Sequence, residues 1–214
     1  MIRLSPLPCL LLALLAGCQT TPMGYERIAA VVKPKGRGVA VLPFKPKGPG
    51  ATQTDGVILA ELAARRLHTA LPDLNVIGPR AILELHKGAI NEAQLPLIAQ
   101  KAHAKLLVTG DIGYLTTRFR NASQSRHGTI AIQFLVRELG AANTTKPAAK
   151  VNWSFAFPLA EDAFDPKYVH MNAKQFRLEM LKYTAQQVAG LFYDHLRRKR
   201  PTSHREVRVF TEPW

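Results

Sequence analysis

The chain has 214 residues, 47% of them hydrophobic, with 29 Lys and Arg against 15 Asp and Glu, a formal net charge of +14. That apolar share is enough for one folded core and excludes a disordered polycation. Its two cysteines, Cys9 and Cys18, exclude a disulfide-rich scaffold.

The N-terminus carries one cation, Arg3, and then an apolar run from Leu7 to Leu15. This is the layout of a secretory signal peptide, and the run is too short to span a bilayer as a stable helix. It closes on Leu15-Ala16-Gly17-Cys18, which resembles the lipobox of bacterial lipoproteins. The resemblance implies a lipid on Cys18, which becomes the first residue of the mature chain, and no free thiol thereafter. Gln19 follows, with no aspartate to signal inner-membrane retention. The expected location is the outer membrane, lipid-anchored and facing the periplasm.

Four segments are expected: a signal peptide over 1–17, a lipidated tether over 18–37, an α/β domain over 38–196 and a basic tail over 197–214. Within the tether, Ile28 to Val32 is a short apolar patch. Val39 to Phe44 reads as a buried strand between turn residues, and Lys45 to Gly50 as a Pro/Gly loop. Thr54 or Asp55 caps a helix over about 55–71, with its apolar stripe on Ile58, Leu59, Leu62, Ala63, Leu67, Ala70 and Leu71. Leu74 to Ile77 is a short strand, and Ala81 to His86 a helical turn or two. Pro96 sits in the first turn of another helix running to about Ala104.

Lys105 to Phe119 is a third strand, Thr129 to Glu138 a fourth and Val151 to Leu159 a fifth. The last two alternate, placing Ile130, Ile132, Phe134 and Val136 on one face, and Val151, Trp153, Phe155 and Phe157 on another. A final helix is predicted from Asn172 to Leu196, with Leu178, Leu181, Ala185, Val188 and Phe192 as its stripe. The order βαβααβββα predicts an α/β fold, with a mixed sheet of about five strands covered by helices.

Val39-Ala40-Val41-Leu42-Pro43-Phe44, then Val76-Ile77-Gly78-Pro79-Arg80, then Ile98 to Gly110 and the later Asn152-Trp153-Ser154 together resemble a broad envelope superfamily. Its members share a fold with the N-terminal domain of the Tol–Pal translocation protein. They include the curli-secretion lipoprotein, the Pel exopolysaccharide lipoprotein and a lipoprotein that activates peptidoglycan synthases. The resemblance covers roughly residues 38–195. It implies a non-enzymatic scaffold or an assembly or export component, often ring-forming, with copies of itself or another envelope protein as partner. Transmembrane hairpins like those of the curli pore are not found. Nor is the long Pro-rich tether of the synthase activator.

Little in the sequence points to catalysis. There is no Walker A motif, no G-x-G-x-x-G after the first strand, no H-E-x-x-H and no G-x-S-x-G. No cofactor and no metal are expected. Asp111 follows a strand and reads as a turn residue. Asp194-His195 reads as part of a helix C-terminus, where cations complement the helix dipole.

The excess charge lies mostly at the ends. Lys33, Lys35 and Arg37 sit near the anchor, and Arg197, Arg198, Lys199 and Arg200 open the tail. Two readings fit. Either these residues contact a membrane surface, a lipid headgroup or an anionic polysaccharide, or they keep the tails solvated. The alternative function that follows is a binding or activator module working through its basic termini. No nucleic-acid partner is expected, because the charge lies outside the fold and no aromatic-rich basic stripe accompanies it. Phe210 to Trp214 reads equally as a docking peptide or a loose end.

Overall fold

The computed structural model describes residues 25–34, 36–88, 90–120, 125–140, 144–158, 166–198 and 208–210. Two strands open the fold, β1 (Tyr25–Ile28) and β2 (Val39–Val41). A short β3 (Lys45–Pro46) and the helix α1 (Gln53–Ala70) follow. Next come β4 (Val76–Ile77), α2 (Pro79–Leu85), a 3-10 turn at Glu92–Gln94 and α3 (Leu95–Lys101). Three long strands, β5 (Leu106–Arg120), β6 (Ser125–Leu139) and β7 (Thr145–Phe157), form a meander. The chain continues through α4 (Pro166–Val169), α5 (Ala173–Ala189), β8 (His195–Arg198) and β9 (Arg208–Phe210).

Among the described residues the main sheet runs β4-β2-β5-β6-β7-β9, with β3 also against β5. Strand β2 pairs in parallel with β4 and β5, β3 pairs in parallel with β5, and β5, β6, β7 and β9 run antiparallel, so the sheet is mixed, as expected, and open. The main core lies between one sheet face and the helices α1 and α5. Val39, Val41, Val108, Ile132, Phe134 and Val151 meet Leu59, Ala63, Leu67, Phe176, Leu181 and Val188 there. On the opposite face, Ala40, Leu42 and Leu107 are covered by Ile82 of α2 and by Leu95, Ile98 and Ala99 of α3. Among the described residues, the second cluster on that face draws its helical members from α2 and α3.

Phe44 sets the geometry at the ends of the parallel strands. It is fully buried, and its N–H donates to the Gly56 carbonyl at 3.2 Å. A Cβ at Gly110 would lie 2.3 Å from the Phe44 ring, and one at Gly56 would lie 1.8 Å from the Phe44 carbonyl oxygen. Only glycine allows helix, strand and ring to approach so closely. The docking of Phe44 also explains why Lys45 to Gly50 departs from the expected free loop. Lys45 pairs with Asp111 in the β5 register, and the Lys47 and Leu115 amides donate to Ile112 and Pro49 carbonyls. A bulge between Ile112 and Tyr114 then shifts the strand by one residue, so that Leu115 rejoins Ile112 in the core.

The helix caps refine the sequence reading. The cap of α1 is Thr52, with Asp55 completing a capping box, so the helix starts two residues before the predicted position. Asn172, the expected start of the last helix, is the cap of α5, through a reciprocal pair with Gln175. The two helices are then tied together by Arg177. Its Nε donates to Asp55 Oδ1 at 2.6 Å, and its Nη2 reaches Asp55 Oδ2 and the Gly50 carbonyl. This ion pair is mostly buried, and Thr52 shares the same carboxylate.

Three expectations at the ends of elements are corrected. The last helix stops at Ala189, not Leu196: the chain turns at Gly190 and buries Leu191 and Phe192 in the core. Leu178 is exposed, and the stripe instead uses Phe176, Met180, Leu181 and Ala185. Both β6 and β7 begin earlier than predicted, because the hairpin pairing of Ser125 with Arg120 and Thr145 with Leu139 extends past the apolar residues.

Packing at Phe44 predicts that Gly110→Ala costs about 1–3 kcal/mol through overpacking, and Phe44→Ala about 3–5 kcal/mol through the cavity it leaves. Urea midpoints of the two variants check this. Burial raises the Asp55 pKa, but the hydrogen bonds and charge of Arg177 and those of Thr52 outweigh it and hold the carboxyl below 3.8. The native state therefore favours the ionised form. Its contribution is present above pH 4 and is lost as pH falls through the lowered value. Arg177→Met should lower stability at pH 7 and flatten the acid limb of a stability–pH profile.

Candidate functional site

The first described strand and the segment after α5 meet in a ribbon. β1 and β8 pair antiparallel, with Tyr25 opposite Arg198, Glu26 opposite Arg197, Arg27 opposite Leu196 and Ile28 opposite His195. Beyond the ribbon, the Val31 and Val32 amides both donate to the Leu191 carbonyl, at 2.8 and 3.0 Å. The apolar Ile28–Val32 patch therefore belongs to the folded unit, with Val32 buried in the main core. Residues 25–32, expected in the tether, and Arg197 and Arg198, expected in the tail, are thus both part of the ordered fold.

Asp194 fastens this junction. Its Oδ1 accepts from the Ala30 amide at 2.9 Å and its Oδ2 from Arg27 Nη2 at 2.7 Å. The Ala30 hydrogen bond, then Arg27, together with the nearby charge of Lys33, pull its pKa below 3.8. His195 follows on β8, its ring packed edge-on against Tyr193 and its Nδ1 3.2 Å from the Tyr193 carbonyl oxygen. The pair Asp194-His195 lies beyond the helix, and helix-dipole compensation is not its role. Asp194 serves backbone and Arg27, while His195 faces its own turn.

The basic residues singled out from sequence separate in space. Lys33 is exposed and close enough to Asp194 to influence it. Arg37 is half-exposed and spends its charge on Glu138 at the end of β6. Arg197 and Arg198 take backbone places on β8. Lys35, Lys199, Arg200, the lipobox residues Leu15, Ala16 and Gly17, and Cys18 lie outside the described residues. Leu196, between the basic positions, is 53% exposed.

A second feature lies where the second-face helices end. A cleft of about 310 Å³ is lined by Lys45, Lys47, Glu92, Asp111, Gln133 and Arg137 among others, with Leu42, Ile90 and Leu95 as an apolar wall. Arg137, mostly buried, donates from Nη2 to Glu92 Oε1 at 2.6 Å. Asp111 is half-buried here, opposite Lys45 and Gln133 in the sheet, rather than in a turn. Gln133 in turn donates to Asn152 at 2.7 Å, which continues a polar row across the open face. Sequence reading missed Arg137 because it sits at the end of an apolar strand. Its alternation with Leu135 and Gln133, opposite in phase to Phe134 and Val136, is the signal that assigns it to the other face.

Among the described residues no three His, Cys, Asp or Glu side chains gather as a metal site. Also among the described residues, no helix is long and apolar enough to cross a membrane.

No protein-family model matches this sequence, and no curated protein matches it. Solved structures with a similar chain path include the PelC dodecamer from Paraburkholderia phytofirmans, at 11% identity and a TM-score of 0.47, covering 79% of this chain and 96% of that one. Lipoprotein GNA1162 from Neisseria meningitidis is similar at 16% identity and a TM-score of 0.43, covering 72% of this chain and 99% of that one. A hypothetical protein from Chlamydia trachomatis has the same TM-score at 15% identity, covering 72% of this chain and 97% of its own. Likeness at this level assigns no function to this chain.

Loss of the Asp194 contacts should loosen the ribbon. Asp194 has a lowered pKa in the folded state, so its support is present above pH 4 and disappears as pH falls through the lowered value. Asp194→Ala at neutral pH should speed amide hydrogen exchange at Ala30 and along β1, leaving β5 and β6 protected. Unchanged exchange at Ala30 would show that the pairing holds without it.

Proposed function

We propose that this chain is a lipid-anchored, non-enzymatic envelope protein that serves as a membrane-proximal scaffold for an envelope assembly, attached through Cys18 to the periplasmic face of the outer membrane. The observation that carries the reading is the short distance from anchor to fold. The first described strand begins at Tyr25, seven residues after Cys18. Seven extended residues span at most about 25 Å. A lipid on Cys18 therefore holds the folded domain against the bilayer instead of letting it range across the periplasm. Gln19 beside the lipidated cysteine supports the outer membrane over the inner.

Self-association is part of the proposal. Among the described residues, β4 and β9 are the outermost strands of the main sheet and lie at its opposite edges. Unpaired edges are natural sites of contact, and two different edges meeting head to tail generate rings when the rotation closes. The superfamily resemblance, which includes ring-forming members, supports the same reading.

Two measurements test it. The mass of the protein purified from membranes should show a diacylglyceryl and acyl addition on Cys18, and Cys18→Ser should release the protein from the membrane fraction. Light scattering of residues 19–214 across a concentration series should give a discrete oligomer. A chain that stays monomeric at high concentration and crosslinks to no envelope partner would contradict the scaffold role.

A further inference from the structure

We propose that the cleft beyond β2 is a binding site for a small organic carboxylate with an apolar body, the carboxylate being taken by Arg137 in exchange for Glu92. The site is independent of the lipid anchor and of self-association.

Arg137 is the centre of the site. It lies opposite Leu107 in the β5–β6 register, on the sheet face that α2 and α3 cover, and its side chain is 15% exposed. A guanidinium keeps its charge in a folded protein, so a mostly buried one needs an anion beside it. Its Nη2 has one, donating to Glu92 Oε1 at 2.6 Å. Its Nε is buried and has no hydrogen-bond partner among the described residues. A buried donor without an acceptor is costly and marks a place that another group can fill. Nε and Nη2 lie on one edge of the guanidinium fork, which can receive both oxygens of a carboxylate.

Glu92 is a weak permanent partner for this fork. It opens the 3-10 turn, and its side chain is 81% exposed. An ion pair with one member in water contributes little, whereas Arg137 stays in the sheet. A ligand carboxylate can therefore send Glu92 back to solvent at small cost and offer an oxygen to Nε as well. Glu92 itself shows which chemistry the fork accepts.

The rest of the cleft describes the body of the ligand. Its volume of about 310 Å³ is at the small end for organic ligands. Leu42, Ile90 and Leu95 form an apolar wall, which an inorganic anion would leave unused. Leu42 directly follows β2, and the carboxyl ends of parallel strands are where open α/β sheets collect ligands. Lys47, exposed at the lining, adds positive charge. The remaining acid, Asp111, is four positions along β5 from Leu107, about 13 Å from the level of Arg137. It has Lys45 as its register partner, so its repulsion falls at the far end and is offset there.

The experiment titrates the isotope-labelled chain from residue 19, which contains every described element, and follows the amide resonances of Ile90, Gly110, Gln133 and Leu135. Two acids are used: N-acetylleucine, which presents the carboxylate of a peptide C-terminus, and hexanoate, a free acid. N-acetylleucinamide and inorganic phosphate are the controls. Saturable shifts at these amides are expected with an acid and not with the amide, and the tighter acid names the source of the carboxylate. Glu92→Ala removes the internal competitor and should tighten binding about two- to fivefold. A purely structural ion pair gives no such gain. Arg137→Lys keeps the charge but loses the fork, and should weaken binding roughly tenfold. Because Glu92 is exposed, its variant tests the site whether or not the Arg137 variant folds. The proposal is overturned by the absence of saturable shifts with both acids, by an amide that binds as well as its acid, by phosphate that shifts the same resonances as strongly, or by a Glu92→Ala chain that binds no more tightly than wild type.

Discussion

The antiparallel pairing of β1 with β8 is the constraint on which the rest of the account depends. It joins residues about 170 positions apart in sequence, Tyr25 and Arg198, into one ladder. Closing a loop of that length carries an entropic cost that must be met by contacts elsewhere. Those contacts are visible. Leu191 and Phe192 are buried in the main core, the Leu191 carbonyl takes two amides from Val31 and Val32, and Asp194 takes a third amide and a guanidinium. The ribbon is an outgrowth of the core, and it holds the first described strand against the segment that follows α5.

The core itself is organised around close approaches. Phe44 fits between Gly110 and Gly56 because neither has a Cβ. That fit fixes the end of β2 against the start of α1. Arg177 then binds the Asp55 carboxylate in the first turn of α1, so α5 cannot shift without breaking a mostly buried ion pair. Removing one partner of such a pair strands a charge in a poorly hydrated place, which costs more than the pair contributes when intact. Because α5 leads directly into the turn at Gly190 and then into β8, the position of the ribbon follows from this helix packing.

Much of the fold was legible because it is encoded locally. The alternation of Ile130, Ile132, Phe134 and Val136 places β6, and the spacing of Leu59, Ala63 and Leu67 places α1. Where the reading failed, the deciding contact was distant in sequence. Ile28 to Val32 looked like an apolar patch in a tether because its partner, Leu191, is far along the chain. Phe192 fitted the helical period of Ala185 and Val188, which hid the turn at Gly190. Arg177 resembled any solvent-facing cation of a helix until Asp55 was brought beneath it. The basic ends were recognisable as charge, but only the strand register showed that Arg197 and Arg198 lie beside β1. Lys33 and Arg37 form one class in sequence and have different environments in the fold, Lys33 near Asp194 and Arg37 against Glu138.

The central proposal is an orientation: a lipid on Cys18, seven residues before Tyr25, would hold the β1–β8 end of the domain toward the bilayer. Cys9 and Cys18 are the two cysteines of the sequence, so a chain cleaved before Cys18 and lipidated there would carry no free thiol. Single nitroxide labels can therefore be placed at Leu196→Cys on β8 and at Leu83→Cys, exposed on α2 against the opposite sheet face. In lipidated protein reconstituted into anionic vesicles, relaxation by membrane-dissolved oxygen and by an aqueous nickel chelate reports the depth of each label. The account predicts a closer approach to the bilayer, with lower aqueous exposure, at position 196 than at position 83. Equal aqueous exposure at both positions would contradict it.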